Sequence, residues 1–386
     1  MRNLLITMSG GTTSVINATL AGIVTAAKES SIVDRVYAGF PGLLGAMSGE
    51  FIDLTDCSPE TLQVIKDSPG SASIGTTRTK IYSDEELREI EDIFLSHGIK
   101  YFINIGGNGT IQQTKSIASF CKNISVCAAP KTVDNDLGDE EFEKMWYTPG
   151  FPSCVNYWFH KTHMLNNENA GSFSHDKVLI AQTFGRETGF IVGAMRLADP
   201  ERKTPLLLLL PEDQKSSTEV VEKIRKTVSV HGRAVIGISE GYEVGEYGFV
   251  KDLSGQRMYG SSKSTAAQEL VNLCVESGIQ ARSYVPTIDQ RQNFEHTLES
   301  DISSAFNIGT EIIRNFEKGL THFFQTKTRN GTETIPLKNI NNFTRYMKKE
   351  WIDYGNYDVT DEYVSYLKEF TNLTTVRKLY VGGIVR

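Results

Sequence analysis

The chain has 386 residues, 39% hydrophobic and 23% charged, with a formal net charge of -7, enough at roughly 150 residues per domain for about two domains with real cores. The acidic balance excludes general binding to nucleic acid or anionic membranes, so any phosphate chemistry requires cations gathered locally. Cys57, Cys121, Cys127, Cys154 and Cys274 are an odd number without CxxC spacing, which reads as reduced, buried thiols rather than a zinc site or disulfide frame. No apolar run approaches the length of a membrane span, and no signal-like segment precedes the first strand pattern. The expectation is a soluble, cytoplasmic protein with neither membrane nor nucleic-acid partners.

In chain order, a strand pattern over 3–7 runs through Ser9-Gly10-Gly11-Thr12-Thr13 into a helical pattern over 15–28. Glycines at such a turn let the backbone approach an anion, and the helix start supplies free N–H donors. A strand at 35–38 follows, then a helix over 84–96 opened by Asp84, Glu85 and Glu86 and closed by Gly98. The strand 100–105 leads into Gly106-Gly107-Asn108-Gly109-Thr110, with a helix predicted from Ile111 to Cys121. Two glycine turns at strand ends suit several phosphate groups. Neither is a Walker A loop nor a dinucleotide fingerprint, which disfavours a Rossmann dehydrogenase.

The strand 124–129 ends in Pro130-Lys131-Thr132-Val133-Asp134-Asn135-Asp136-Leu137. Two carboxylates two residues apart suit metal–phosphate work or deprotonation of a hydroxyl, and Lys131 brings a cation to the same place. Helical patterns at 153–165 and 219–229 alternate with strands at 177–182, 205–210 and 234–238. The alternation predicts an α/β fold with parallel sheets covered by helices, whose ligands bind where loops leave the strands' carboxyl ends. A polar hairpin is expected at 326–332, turning at Asn330-Gly331. His160 and His163 lie three apart without a carboxylate partner and read as structural.

Taken together, the segments 9–11, 106–110, 130–137, Phe184-Gly185-Arg186-Glu187-Thr188-Gly189-Phe190 and Ile238-Ser239-Glu240-Gly241-Tyr242-Glu243 resemble the phosphofructokinase family from Met8 to about Gly309. The resemblance implies two Rossmann-like lobes with parallel-rich sheets and an active site in the cleft between them. Residues 1–145 plus about 290–345 would form the phosphoryl-donor lobe, and about 146–289 plus 346–386 the sugar-phosphate lobe. The implied reaction moves a phosphoryl group from ATP or pyrophosphate to the 1-hydroxyl of fructose 6-phosphate, a glycolytic step. By matching positions, Asp134 would be the general base, with Thr132, Lys131 and Arg186 at the transferring group. Asp136 and Asn108 would hold Mg²⁺. Gly11, Arg78, Gly107, Asn108, Gly109 and Thr110 would contact the donor. Phe184, Gly185, Arg186, Glu240 and Arg291 would contact the sugar phosphate, joined by Lys177 and Arg282 from a neighbouring subunit of a homodimer or homotetramer.

Several positions depart from the family pattern. Asn108 stands where an aspartate is frequent, Ile288 replaces a polar residue three before Arg291, and Gln292-Asn293-Phe294 lacks a glycine pair. Two further readings stay open on these departures: a same-fold kinase for another sugar phosphate in a specialised pathway, and a catalytically silent regulatory subunit. Gly109 leaves room for a nucleotide α-phosphate and leans the donor toward ATP. Lys131, the opening 9–18 and the Lys177 region look closer to the pyrophosphate branch.

Overall fold

The computed structural model describes residues 1–71, 73–81, 83–172, 174–245, 250–251, 257–259, 262–341 and 343–373. The expected second-lobe stretch 374–386 lies outside the described residues. The chain opens with β1 (Asn3–Met8), α1 (Ile16–Glu29), β2 (Val36–Gly39), α2 (Gly42–Met47), β3 (Phe51–Asp53), α3 (Pro59–Asp67), α4 (Asp84–Ser96), β4 (Ile99–Gly106), α5 (Asn108–Phe120) and β5 (Ser125–Pro130). Next come α6 (Phe151–Gly171), β6 (Val178–Thr183), α7 (Phe190–Ala194), β7 (Leu206–Leu209), α8 (Ser217–His231), β8 (Ala234–Ser239), β9 (Val250–Lys251), β10 (Arg257–Met258), α9 (Ala266–Glu276) and β11 (Ala281–Tyr284). The last elements are α10 (Glu299–Glu317), β12 (Phe323–Thr328), β13 (Gly331–Pro336), β14 (Ile352–Asp353), β15 (Asp358–Val359) and α11 (Asp361–Thr371).

Two compact units emerge. Unit 1 takes residues 1–154, 250–258 and 291–346; unit 2 takes 155–249, 259–290 and 347 onward. In unit 1, seven strands run in the order β13-β12-β5-β4-β1-β2-β3. Its interior pairs are parallel, while β3 and β13 pair antiparallel at the two edges. Alternation along β1 divides the core: Leu4, Ile6 and Met8 pack with Ile16, Leu20, Ile308 and Ile312 of α1 and α10. Leu5 faces the other way, toward Ile90 and Phe94 of α4 and Ile111 and Ile117 of α5. Successive side chains of a strand point to opposite faces, so a sheet covered on both sides needs apolar residues at both parities. This is why Leu4, Leu5 and Ile6 are consecutive apolar residues within β1.

Unit 2 holds a four-stranded, all-parallel sheet in the order β11-β6-β8-β7, its core built from Val178, Ile180, Ile236, Ile238, Ile224 and Leu270. Its helix α8 begins with a capping box: Ser216 accepts from the Glu219 amide while Glu219 accepts from the Ser216 amide. The same device, Ser83 with Glu86, opens α4 in unit 1.

Two local expectations are corrected. Helix α5 starts at Asn108, not Ile111, because Gly107 serves as its cap and the amides of Thr110 and Ile111 already bond the Gly107 carbonyl. The hairpin is longer than 326–332, and its register pairs Thr328 with Gly331, so Arg329 and Asn330 form the turn. Because β12 also pairs with β5, this hairpin is the sheet's edge and not a surface insertion. Among the described residues, no helix is long and apolar enough to cross a membrane.

Helices α1 and α10 meet at two glycines. A Cβ at residue 22 would stand 2.1 Å from the Phe306 carbonyl oxygen, and one at residue 309 would stand 2.3 Å from that of Thr19. Gly22→Ala should therefore lose about 2 kcal/mol net in denaturant titration, since overpacking against backbone outweighs the roughly 1 kcal/mol that alanine gains in a helix interior. A variant as stable as the parent would refute the close approach.

Asp301, in the first turn of α10, is fully buried. Its carboxylate accepts from the amides of Gly150 and Ser153 and from the Ser153 hydroxyl at 2.6 Å, so it caps α6 from another helix. Burial pushes the carboxyl up to about 6 against the opposing pull of these donors. The folded chain thus binds this proton where the unfolded chain, at about 3.9, does not. Stability should fall by up to ~3 kcal/mol as pH rises from about 4 to above 6. Asp301→Asn should remove that slope, and melting curves across the window that run parallel for parent and variant would count against it.

Candidate active site

In unit 1, three parallel strands end level with one another. Met8 of β1 pairs with Ile105 of β4, and Gly106 pairs with Pro130 of β5. The segments 9–13, 106–110 and 130–137 therefore leave adjacent strand ends at one height, the position where open α/β sheets bind ligands. Side chains beneath them fix the edges of the loops. The buried Asn104 Oδ1 accepts from the hydroxyls of Thr7 at 3.0 Å and Ser9 at 3.3 Å.

Lys131 crosses from one loop to another. Only 5% exposed, it donates from Nζ to the Gly11 carbonyl while its amide bonds the Gly106 carbonyl at 2.9 Å. Gly11 also faces Arg291, since a Cβ there would lie 2.9 Å from Arg291 Nη1. The Arg291 segment is tied to the first loop, with Ser14 donating to the Arg291 carbonyl and Thr12 to Gln292 Oε1. Gly10, at φ +81°, donates to the Thr77 carbonyl and accepts from Thr76, which sets the neighbouring Arg78 at this edge as an exposed residue.

At the start of α5, Gly107 and Asn108 are half-buried and Gly109 is exposed, in the turn that precedes the first amides bonded to the Gly107 carbonyl, those of Thr110 and Ile111. Thr110 instead turns its side chain over Gly106, where a Cβ would meet Thr110 Oγ1 at 2.1 Å. Asp134 is 8% exposed, and its amide donates to Thr132 Oγ1 at 3.1 Å. Asn108 Nδ2 lies 3.4 Å from Asp136 Oδ2, so the two expected metal ligands do meet. Among the described residues no cluster of three or more His, Cys, Asp or Glu could hold a metal. An amide oxygen and one carboxylate fit Mg²⁺ nonetheless, because this ion keeps waters and takes much of its shell from substrate phosphates.

In unit 2, the loop leaving β6 carries Phe184, Gly185 at φ +127° and Arg186 at φ +50°. The Arg186 amide donates to Glu240 Oε1 at 3.3 Å, and its carbonyl accepts from Ser239 at 3.1 Å. A Cβ on Gly241 would lie 1.9 Å from that carbonyl, so position 241 admits only glycine. Phe184, Gly185, Arg186 and Glu240 thus form one cluster. Lys177 and Arg282 do not join it. They sit at the amino ends of β6 and β11, where at the ~3.3 Å rise of a strand residue Lys177 lies about 20 Å and Arg282 about 13 Å short of the carboxyl end of β6. Arg282 pairs there with Glu168 at 2.8 Å and Asp176 at 3.3 Å.

Several supporting residues escaped the sequence reading. Gln290, 2% exposed, uses Oε1 to accept from the Phe184 amide at 2.8 Å and from the Trp158 indole at 3.2 Å. Glu212 accepts from the amides of Gly189 and Met347, and burial raises its carboxyl. Its position in Pro211-Glu212, just beyond an apolar strand, was the one signal available. Arg345 reaches Asn135 from 210 residues away and left no local signal.

The phosphofructokinase family model matches residues 3–311. The pyrophosphate–fructose 6-phosphate 1-phosphotransferase of Halomonas elongata is 24% identical, covering 93% of this chain and 89% of its own. The protein of the same name from Rhodospirillum rubrum is 26% identical, covering 94% and 92%. A crystal structure of the pyrophosphate-dependent phosphofructokinase from Nitrosospira multiformis superposes with a TM-score of 0.85 at 25% identity, covering 96% of this chain and 92% of that one.

Proposed function

Because the chain belongs to the phosphofructokinase family, we propose that it transfers a phosphoryl group to the 1-hydroxyl of fructose 6-phosphate. The observation that carries this is the level meeting of three loops at adjacent strand ends, with Lys131 reaching from the Asp134 loop to Gly11. Asp134 takes the hydroxyl proton as the sugar oxygen attacks. The new C1–O–P linkage forms, the donor's bridging P–O bond breaks, and the leaving phosphate or nucleoside diphosphate keeps the bridging oxygen. Lys131, Thr132 and the N–H groups at the start of α5 meet the charge on the transferring and donor oxygens, since phosphoryl transfer needs positioning and neutralisation more than covalent help. Gly11, Gly107, Gly109 and Thr110 shape the donor side, and Arg78 lies at its edge. Asn108 and Asp136 would hold Mg²⁺, which when bound screens the donor's phosphate charge.

Phe184, Gly185, Arg186, Glu240 and Arg291 are assigned to the sugar phosphate. Lys177 and Arg282 are assigned to a neighbouring subunit's substrate in a cytoplasmic homodimer or homotetramer, which accords with their distance from Arg186 in their own chain. Neither a silent regulatory subunit nor a kinase dedicated to another sugar is favoured, because Lys131, Asp134 and Asp136 occupy one intact loop. The donor divides on two residues: Lys131 and the names of the relatives support pyrophosphate, while the exposed Gly109 supports ATP as a second reading. The test is a coupled assay with fructose 6-phosphate, Mg²⁺ and either donor side by side. Turnover with either donor upholds the reaction and names the phosphate source. Binding of fructose 6-phosphate without turnover by either would overturn it in favour of a silent subunit.

A further inference from the structure

The loop that carries both candidate carboxylates is gripped by a buried cation that takes no part in the chemistry proposed above. Arg345 is 0% exposed. Its Nε donates to the Asn135 carbonyl at 2.9 Å, its Nη2 to Asn135 Oδ1 at 2.7 Å, and its Nη1 to the Met145 carbonyl. The guanidinium lies over the Phe142 ring, 3.9 Å from the centroid. Backbone bonds add to the grip: the Arg345 amide donates to the Asp136 carbonyl and the Gly138 amide to the Phe343 carbonyl, both at 2.8 Å. Leu137 bridges Thr344 antiparallel. A Cβ on Gly138 would fall 2.7 Å from Arg345 Nη1, so the loop has been cleared for this side chain.

Asn135 is the residue between Asp134 and Asp136, and it holds a left-handed backbone at φ +56°. Asparagine is among the few residues with a side chain that visit this region, at some cost in strain. Its Oδ1 also accepts from the Thr148 amide at 3.0 Å, so amide and guanidinium together fix one conformation. Burying a guanidinium costs several kcal/mol before its hydrogen bonds are counted, and an apolar filler would seal the same space more cheaply. The arrangement is therefore better matched to aiming than to filling.

We infer that Arg345 is a positioning residue: by clamping Asn135 in its left-handed conformation it sets the direction in which Asp134 presents its carboxylate. This rests on the assignment of Asp134 as the base. The effect falls on the chemical step, and sugar-phosphate affinity is untouched.

The test compares the full-length parent, Arg345→Lys, Arg345→Met and Asn135→Gly, each alone and combined with Asp134→Asn. Glycine at 135 keeps the left-handed backbone accessible while removing the side-chain acceptor, so it serves if the Arg345 variants do not fold. In folded variants, kcat should drop on the order of 10²-fold, the cost of misplacing a reacting group by about 1 Å. KM for fructose 6-phosphate should stay within about twofold, as for an interaction made only in the transition state. Lysine should retain more activity than methionine. In the Asp134→Asn background the same substitutions should cost nothing further, because residues acting through one another are not additive. In folded variants, hydrogen exchange of the peptide 131–138 should accelerate more than that of the other peptides of unit 1. Folded variants with parental kcat, or losses that multiply fully with Asp134→Asn, would overturn the inference. A parent that turns over neither donor instead defeats the assignment of function, and the exchange measurement then reports on the clamp by itself.

Discussion

Asp134→Asn should lower kcat by on the order of 10²- to 10⁴-fold, the span a positioned general base contributes. Asparagine has nearly the same shape, so the 3.1 Å bond from the residue's amide to Thr132 Oγ1 and the Arg345 grip on Asn135 both survive. The amide cannot accept a proton from the sugar hydroxyl. KM for the sugar phosphate should barely change, and a rapid-quench measurement of the chemical step should carry the whole loss. A variant within about threefold of the parent would remove Asp134 from the mechanism, since removing a base cannot cost so little. Attention would then pass to Asp136, which flanks the same left-handed residue.

Gly109→Asp should separate the two donors. Position 109 is exposed in the first turn of α5, and among the described residues beyond its own helix and chain neighbours a Cβ there would come within 4 Å of Lys80 Cε alone, at 3.9 Å. A carboxylate suits the fold at this position, because negative charge in a helix's first turn is favourable and Lys80 stands beside it. Any damage is therefore to ligand binding. On the proposed assignment of residue 109 to the donor side, a fixed negative charge would oppose a nucleotide's α-phosphate, and like charges in contact cost several kcal/mol. Activity with ATP should fall at least about tenfold further than activity with pyrophosphate, a difference of roughly 1.4 kcal/mol or more. Equal losses with both donors would show that residue 109 faces neither phosphate chain selectively. If the parent uses pyrophosphate alone, the variant should keep most of that activity.

What was legible in the sequence was what sequence neighbours determine. Strand, glycine and helix follow one another within a few residues at Met8–Ile16 and Ile105–Asn108, and the structure sets both at strand ends. Acidic residues 84–86 mark a helix start because their partner, Ser83, is adjacent. The start of α5 was misjudged by three residues because glycine and asparagine read as loop, whereas at a capped N-terminus a helix tolerates both. The remaining misses are contacts between segments far apart in the chain. Asp301 caps a helix 151 residues before it, Gln290 holds Phe184 across 106, and Arg345 holds Asn135 across 210. No periodicity marks such partners, since each is a single polar residue whose value comes from what the fold brings beside it. Lys177 and Arg282 are assigned to a neighbouring subunit's substrate by resemblance alone; strand direction sets them at the amino ends of β6 and β11, away from Arg186 of their own chain.

The crossing of α1 and α10 has a mechanical side. α1 begins at Ile16, directly after the loop 9–13, and α10 carries the carboxylate that caps α6. Where Gly22 and Gly309 meet the opposite backbone, there is no rotamer to turn and no side chain to compress. A displacement of α10 relative to α1 would therefore find no side chain to absorb it at this crossing, and α1 leads directly back to the loop 9–13.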